Sequence, residues 1–138
     1  MRDLYDNVSV TQVTTPAVAT ATVTSSAIDL QGFNSAIVLF NMGASGDTLS
    51  SSVYWTLSLT ECATSGGTYT AVATSDMSAG VSSVTVALGQ DSASYKLGYI
   101  GSQRYVKAVA TKTGTMTNGT IIGITSLRGS AAYKPVIY

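Results

Sequence analysis

The sequence predicts an all-β, single-domain β-sandwich of about eight to ten strands with extended terminal arms, a jelly roll being one arrangement of those strands. Three observations predict it. Apolar and hydroxylic residues alternate with a period of two through several segments. Turn chemistry recurs between those segments at short intervals. Thr and Ser, 20 and 19 residues, make up more than a quarter of the 138-residue chain, and branched Thr suits a pleated surface while Ser suits turns.

Taken in chain order, Asn7 to Thr14 and Ala17 to Thr24 read as weak strands, split by Thr15-Pro16. Ser35 to Met42 is a continuous apolar run and reads as a central strand covered on both faces. In Val53 to Thr60 the odd positions are apolar and the even ones mostly hydroxylic, so this is a half-buried strand with Trp55 anchoring the core. Thr68 to Ala73, Ser83 to Leu88 and Tyr95 to Ile100 are further strands, and Ser75 to Val81 has room for one helical turn at most. Arg104 to Lys112 places Val106, Ala108 and Ala110 on one side and Tyr105, Lys107 and Val109 on the other. Thr120 to Leu127 is a last clear strand, with Gly123 a bulge or a point of close approach. Reversals fall at Gly32-Phe33-Asn34, Gly43 to Asp47, Ser65-Gly66-Gly67, Gly89-Gln90-Asp91 and Asn118-Gly119, all rich in residues that tolerate positive φ. The chain divides into an N-terminal arm or edge strands (1–24), a sandwich core (25–129) and a C-terminal tail (130–138).

Composition narrows the chemistry. Only 10% of residues are charged, against about 25% in an ordinary soluble domain. A hydroxyl-coated surface of this kind suits a protein packed among neighbours. The start carries Asp3 and Asp6 where a secretory signal needs an apolar core, so no such signal is expected. No apolar stretch approaches a membrane span. Net charge is zero, but all seven acids lie between Asp3 and Asp91 and six of the seven bases lie from Lys96 onward. Either strands of the two halves interleave and mix these charges, or the subunit is dipolar and meets its neighbour acidic face to basic face. Six bases spread over more than forty residues form no basic cluster, so direct nucleic-acid binding is not expected.

Catalysis needs groups that exchange protons or hold metals, and the chain has no histidine. A Ser-His-Asp or Cys-His arrangement is excluded, as is the usual zinc site. The lone Cys62 forms no internal disulfide and reads as a buried, inert thiol. Of the carboxylates Asp29, Asp47, Glu61, Asp76 and Asp91, all but Glu61 sit beside turn residues, where aspartate bonds its own backbone. A paired-carboxylate glycosidase therefore finds little support, and no calcium-loop pattern is present. The GASGD stretch lacks the lysine and helix of a phosphate loop and reads as a hairpin loop. No catalytic residue, metal ligand or cofactor is expected, and the chain reads as a structural or binding protein. Tyr95, Tyr99, Tyr105, Tyr133 and Tyr138 fall near Lys96, Arg104, Lys107, Arg128 and Lys134. They are strand residues with ring buried and hydroxyl wet, or lie at a protein interface, or line a sugar-binding face.

Gly98 to Gly129 carries R-Y-V-K, T-G-T, N-G-T, I-G and R-G in order, preceded by Ala27 to Phe33 (AIDLQGF), Gly43 to Ser50 (GASGDTLS) and an N-terminal L-Y-D-N. In these words the chain resembles small tailed-phage and prophage virion proteins of the capsid decoration, or head cement, type. The resemblance covers nearly the whole chain and brings no catalytic residues. It implies a decoration protein on the capsid exterior that binds and stabilises the shell of major capsid protein, as a homo-oligomer (dimer or trimer), away from any membrane. A host-glycan-binding head or tail appendage and a tail or neck component are the alternatives. Contact residues are expected at the apolar termini: Leu4 and Tyr5 at the start, and Tyr133, Pro135, Val136 and Tyr138 in the tail.

Overall fold

The computed structural model describes residues 4–132. Ten strands are present: β1 (Ser9–Ala19), β2 (Val23–Thr24), β3 (Ile28–Asp29), β4 (Phe33–Ser45), β5 (Tyr54–Cys62), β6 (Thr70–Ala71), β7 (Ser83–Val86), β8 (Ser94–Tyr99), β9 (Tyr105–Thr113) and β10 (Thr120–Ala131). Three short 3-10 turns accompany them, at Tyr5–Asn7, Thr74–Asp76 and Ser78–Gly80. All strand pairs are antiparallel. A four-stranded sheet runs β1-β10-β4-β8, and a six-stranded sheet is built on β2-β9-β5-β6, with β3 also on β9 and β7 also on β5. The protein is a β-sandwich.

The pairing follows one rule. β1 pairs β10, β2 and β3 pair β9, β4 pairs β8, and β6 and β7 pair β5. These are the rungs of one long hairpin with its tip after β5. Taking β2 with β3 and β6 with β7 as interrupted single strands leaves eight, and rolling that hairpin brings β10 beside β4 and β9 beside β5. This is the jelly-roll arrangement.

Alternation explains why these residues pack this way. Ala36, Val38, Phe40 and Met42 of β4 point inward, as do Trp55, Leu57 and Leu59 of β5 and Val106, Ala108 and Ala110 of β9, all buried. Ile122 and Ile124 of β10 and Leu97 and Tyr99 of β8 complete the layer. The intervening side chains of β5 and β9 are mostly hydroxylic or long and amphipathic, Val109 excepted, so each strand has one dry face. Trp55 is fully buried, and its indole N–H donates to Thr120 Oγ1 at 3.0 Å. Thr120 in turn donates to Ser45 Oγ at 3.0 Å. The polar edge of the largest core residue is thereby satisfied, as burial requires. Gly123 is a point of close approach: a Cβ there would lie 2.7 Å from Pro16 Cγ on β1.

Several expectations are corrected. Ser35 to Met42 is not covered on both faces, because Ile37 is 42% exposed and Asn41 is exposed. β4 is central within its sheet, but the sandwich covers that sheet on one side only. The Gly43 to Asp47 reversal begins later than its composition suggests, since β4 continues through Ser45. Ala17 to Thr24 is not one strand: β1 runs on past Pro16 to Ala19, with register shifts between Gln12 and Ala17, and β2 is separate. Thr68 to Ala73 contracts to Thr70–Ala71, and Ser75 to Val81 belongs to two tight turns. The charged halves interleave, with β9 lying between β3 and β5, and Arg104 pairs with Asp29.

Candidate interface on the outer face of the four-stranded sheet

The two outward faces of the sandwich differ in chemistry. On the six-stranded sheet, Thr111, Thr56 and Thr85 stand in one row across β9, β5 and β7, and Val109, Ser58 and Ser83 in the next. That face is hydroxylic. On the four-stranded sheet the register aligns Val10 of β1, Leu127 of β10, Ile37 of β4 and Gly98 of β8. Strand spacing makes this row about 14 Å wide. Val10 is 60% exposed and Leu127 half-buried. The next row is Gln12, Thr125, Leu39 and Lys96, so Lys96 borders the apolar row.

The turn before β1 extends this surface. Leu4 and Tyr5 are 74% and 71% exposed. With Val8, Val10 and Leu127 they line a shallow depression of about 450 Å³. A second, of about 230 Å³, adjoins it through Leu4, Val8 and Leu127 and reaches Ile37 and Gly129. A third, of about 280 Å³, continues from Ile37 to Val81 beside Lys96 and Gly98. An apolar path therefore crosses the sheet from Tyr5 to Val81. Contiguous exposed apolar surface of this kind marks interaction sites on folded proteins.

The edge of this face is rigidly held. Arg128 points to the end of the sandwich, where its guanidinium donates to Asp29 O at 2.9 Å, to Ser9 Oγ at 2.9 Å and to Thr11 Oγ1 at 3.3 Å. It also stacks on Phe33, 4.8 Å from the ring centre. Asp29 accepts two bonds from Arg104, at 2.9 and 2.8 Å, which hold its carboxyl below the usual range.

Of the expected contact residues, Leu4 and Tyr5 lie on this apolar path, and Tyr133, Pro135, Val136 and Tyr138 lie outside the described residues. Val10, Ile37, Leu127 and Val81 escaped the sequence reading. For Ile37 and Leu127 the signal was the apolar outward set on β4 and β10, hidden once β4 was read as covered on both sides.

Several other polar groups serve the fold. Asp47 accepts the N–H groups of Thr117, Asn118 and Gly119, and the Gly119 N–H above all lowers its pKa. Asp91 accepts the Ser45 N–H at 2.8 Å. Tyr99 is buried, and its hydroxyl is not wet: it donates to Glu61 Oε2 at 2.6 Å and accepts the Gln103 N–H at 2.9 Å. Burial, then the Glu61 bond, push this phenol well up. Cys62 is half-buried rather than buried, because it ends β5 on the outward side beside Thr64. Among the described residues no group of three or more His, Cys, Asp or Glu side chains could hold a metal, and no helix is long and apolar enough to cross a membrane. Comparisons of the sequence with protein-family models and with curated proteins found no match.

Proposed function

We propose that this chain is a structural virion protein, a capsid decoration or cement protein that binds the major capsid protein shell of a tailed phage through the outer face of its four-stranded sheet. The observation that carries the proposal is the Val10–Leu127–Ile37 row with Leu4 and Tyr5 beside it. The jelly-roll sandwich and the sequence words of Gly98 to Gly129 support the same reading. A rigid sandwich held by core packing can transmit load between the subunits it bridges.

The mechanism is binding, with no covalent step. A specific contact buries about 1,200–2,000 Å² in total, with a few apolar anchors dominating. A protein that binds assembled shell better than free subunits stabilises assembly by mass action. On a shell, copies linked as a homo-oligomer raise one another's effective concentration, so weak single contacts suffice. The protein then resides on the particle exterior.

The test places a charge in the row. Val10→Glu and Ile37→Glu alter exposed positions that the core does not use. Both variants are expected to keep the wild-type circular dichroism and melting temperature and to lose most of their occupancy on particles stripped of the protein. Wild-type occupancy by both variants removes this face from the proposal.

A further inference from the structure

A second concavity opens at the end of the sandwich, where the β3–β4 turn meets the β8–β9 loop. It has a volume of about 470 Å³, within the range of small-ligand sites. Its lining differs from that of the apolar path. Side-chain amides come from Gln31, Asn34 and Gln103, a hydroxyl from Ser102, and apolar surface from Phe33 and Ile100. Ile100 is 54% exposed although it follows directly on a core strand.

The walls are fixed. The Leu30 N–H donates to Arg104 O at 2.8 Å and stitches the two loops together. The Phe33 N–H donates to Leu30 O at 2.9 Å and closes the turn. On the other wall, the Ile100 N–H donates to Asp76 O at 2.9 Å, and the Gln103 N–H donates to the buried Tyr99 hydroxyl at 2.9 Å. Arg104 is locked by its two bonds to Asp29 and lies 4.9 Å over the Tyr105 ring. The three amide side chains, by contrast, make no hydrogen bond to any other described residue. The backbone groups are committed to the fold, whereas the amide side chains of Gln31 and Asn34 are exposed and that of Gln103 half-buried, open to a ligand.

We infer that this cleft binds a neutral saccharide. A side-chain amide offers two donors and two acceptor lone pairs, which matches the paired donor and acceptor character of adjacent sugar hydroxyls. Ile100, with the half-buried Phe33 in the same lining, offers apolar surface to the C–H face of a pyranose ring. The one charge in the lining, Arg104, is paired with Asp29, so the cleft presents no unpaired charge to draw a charged ligand. The cleft is open, so single-site affinity is weak, with Kd on the order of 1 mM, and many copies on one particle multiply it.

The experiment is an amide-resolved NMR titration of the full chain with neutral disaccharides built on glucose, galactose, mannose and N-acetylglucosamine. Glycerol and a glucuronate disaccharide serve as controls. For at least one neutral sugar, saturable shifts are expected at 30–34 and 100–104, with none from glycerol. A Gln31→Ala, Gln103→Ala double variant that keeps the wild-type melting temperature is expected to bind at least about tenfold more weakly, the scale of losing one or two ligand hydrogen bonds. No saturable shift in these two loops with any neutral sugar overturns the inference, as does an equal response to glycerol or an undiminished response in the variant. The same variant keeps full particle occupancy if shell docking uses the sheet face, so failure here and failure of the proposed function are told apart.

Discussion

Replacing Thr120 with valine removes one hydroxyl from the centre of the sandwich and little else. The two side chains have nearly the same shape and both suit a strand. Thr120 is fully buried, receives the Trp55 indole N–H at 3.0 Å and donates onward to Ser45. The valine strands the indole donor among apolar neighbours and leaves Ser45 Oγ with only the Asp47 N–H, at 3.3 Å. An unsatisfied buried donor costs about 1–3 kcal/mol, and melting falls by about 3–5 °C per kcal/mol for a chain of this length. Thr120→Val is therefore expected to melt roughly 3–15 °C below the wild type. Urea unfolding followed by far-UV circular dichroism reads the same loss as a lower midpoint with unchanged slope. Trp55→Phe combined with Thr120→Val isolates the bond, because the second substitution should cost less once the donor is gone. A Thr120→Val midpoint equal to wild type, or strictly additive costs in the pair, refutes the reasoning.

Other perturbations probe other layers. Leu57→Ala empties a fully buried site and is expected to cost about 2–5 kcal/mol in urea unfolding. Gly123→Ala forces a Cβ against Pro16 and should cost about 1–3 kcal/mol as overpacking, with Pro16→Ala restoring part of the loss. The Arg104 guanidinium at Asp29 and the Gly119 N–H at Asp47 hold both carboxyls below the ordinary aspartate value of 3.8. Such groups stabilise the fold above the unfolded-state pKa, and that contribution is lost as pH falls below 3.8 through the folded value. Arg104→Ala with Asp47→Asn should therefore narrow the difference in melting temperature between pH 7 and acid, with Asp47 acting through the 117–119 turn and Asp29 through its ion pair.

The sequence displayed the strands whose two faces differ chemically. On β5, Trp55, Leu57 and Leu59 alternate with Thr56, Ser58 and Thr60, and the burial pattern repeats that alternation. On β4 both faces are apolar, so periodicity was silent about which one the sandwich covers. β3 is two residues long and leaves no periodic trace. The rolled-hairpin pairing joins residues such as Thr11 and Ser126, which share no local signal. The same limit governs the sites. Leu4 and Tyr5 were visible as apolar residues near the start, but Val10, Leu127 and Ile37 form a row only when three distant strands are in register. The cleft likewise needs loops some seventy residues apart, joined by the Leu30–Arg104 bond.

Imaging decorated particles at a resolution that traces the strands tests the central claim most directly. The account predicts this subunit on the outside of the shell with Val10, Leu127 and Ile37 buried against capsid protein and the Thr56–Thr111 face toward solvent. Particles that lack the subunit, or that carry it with the Val10–Leu127–Ile37 row open to water, contradict the account.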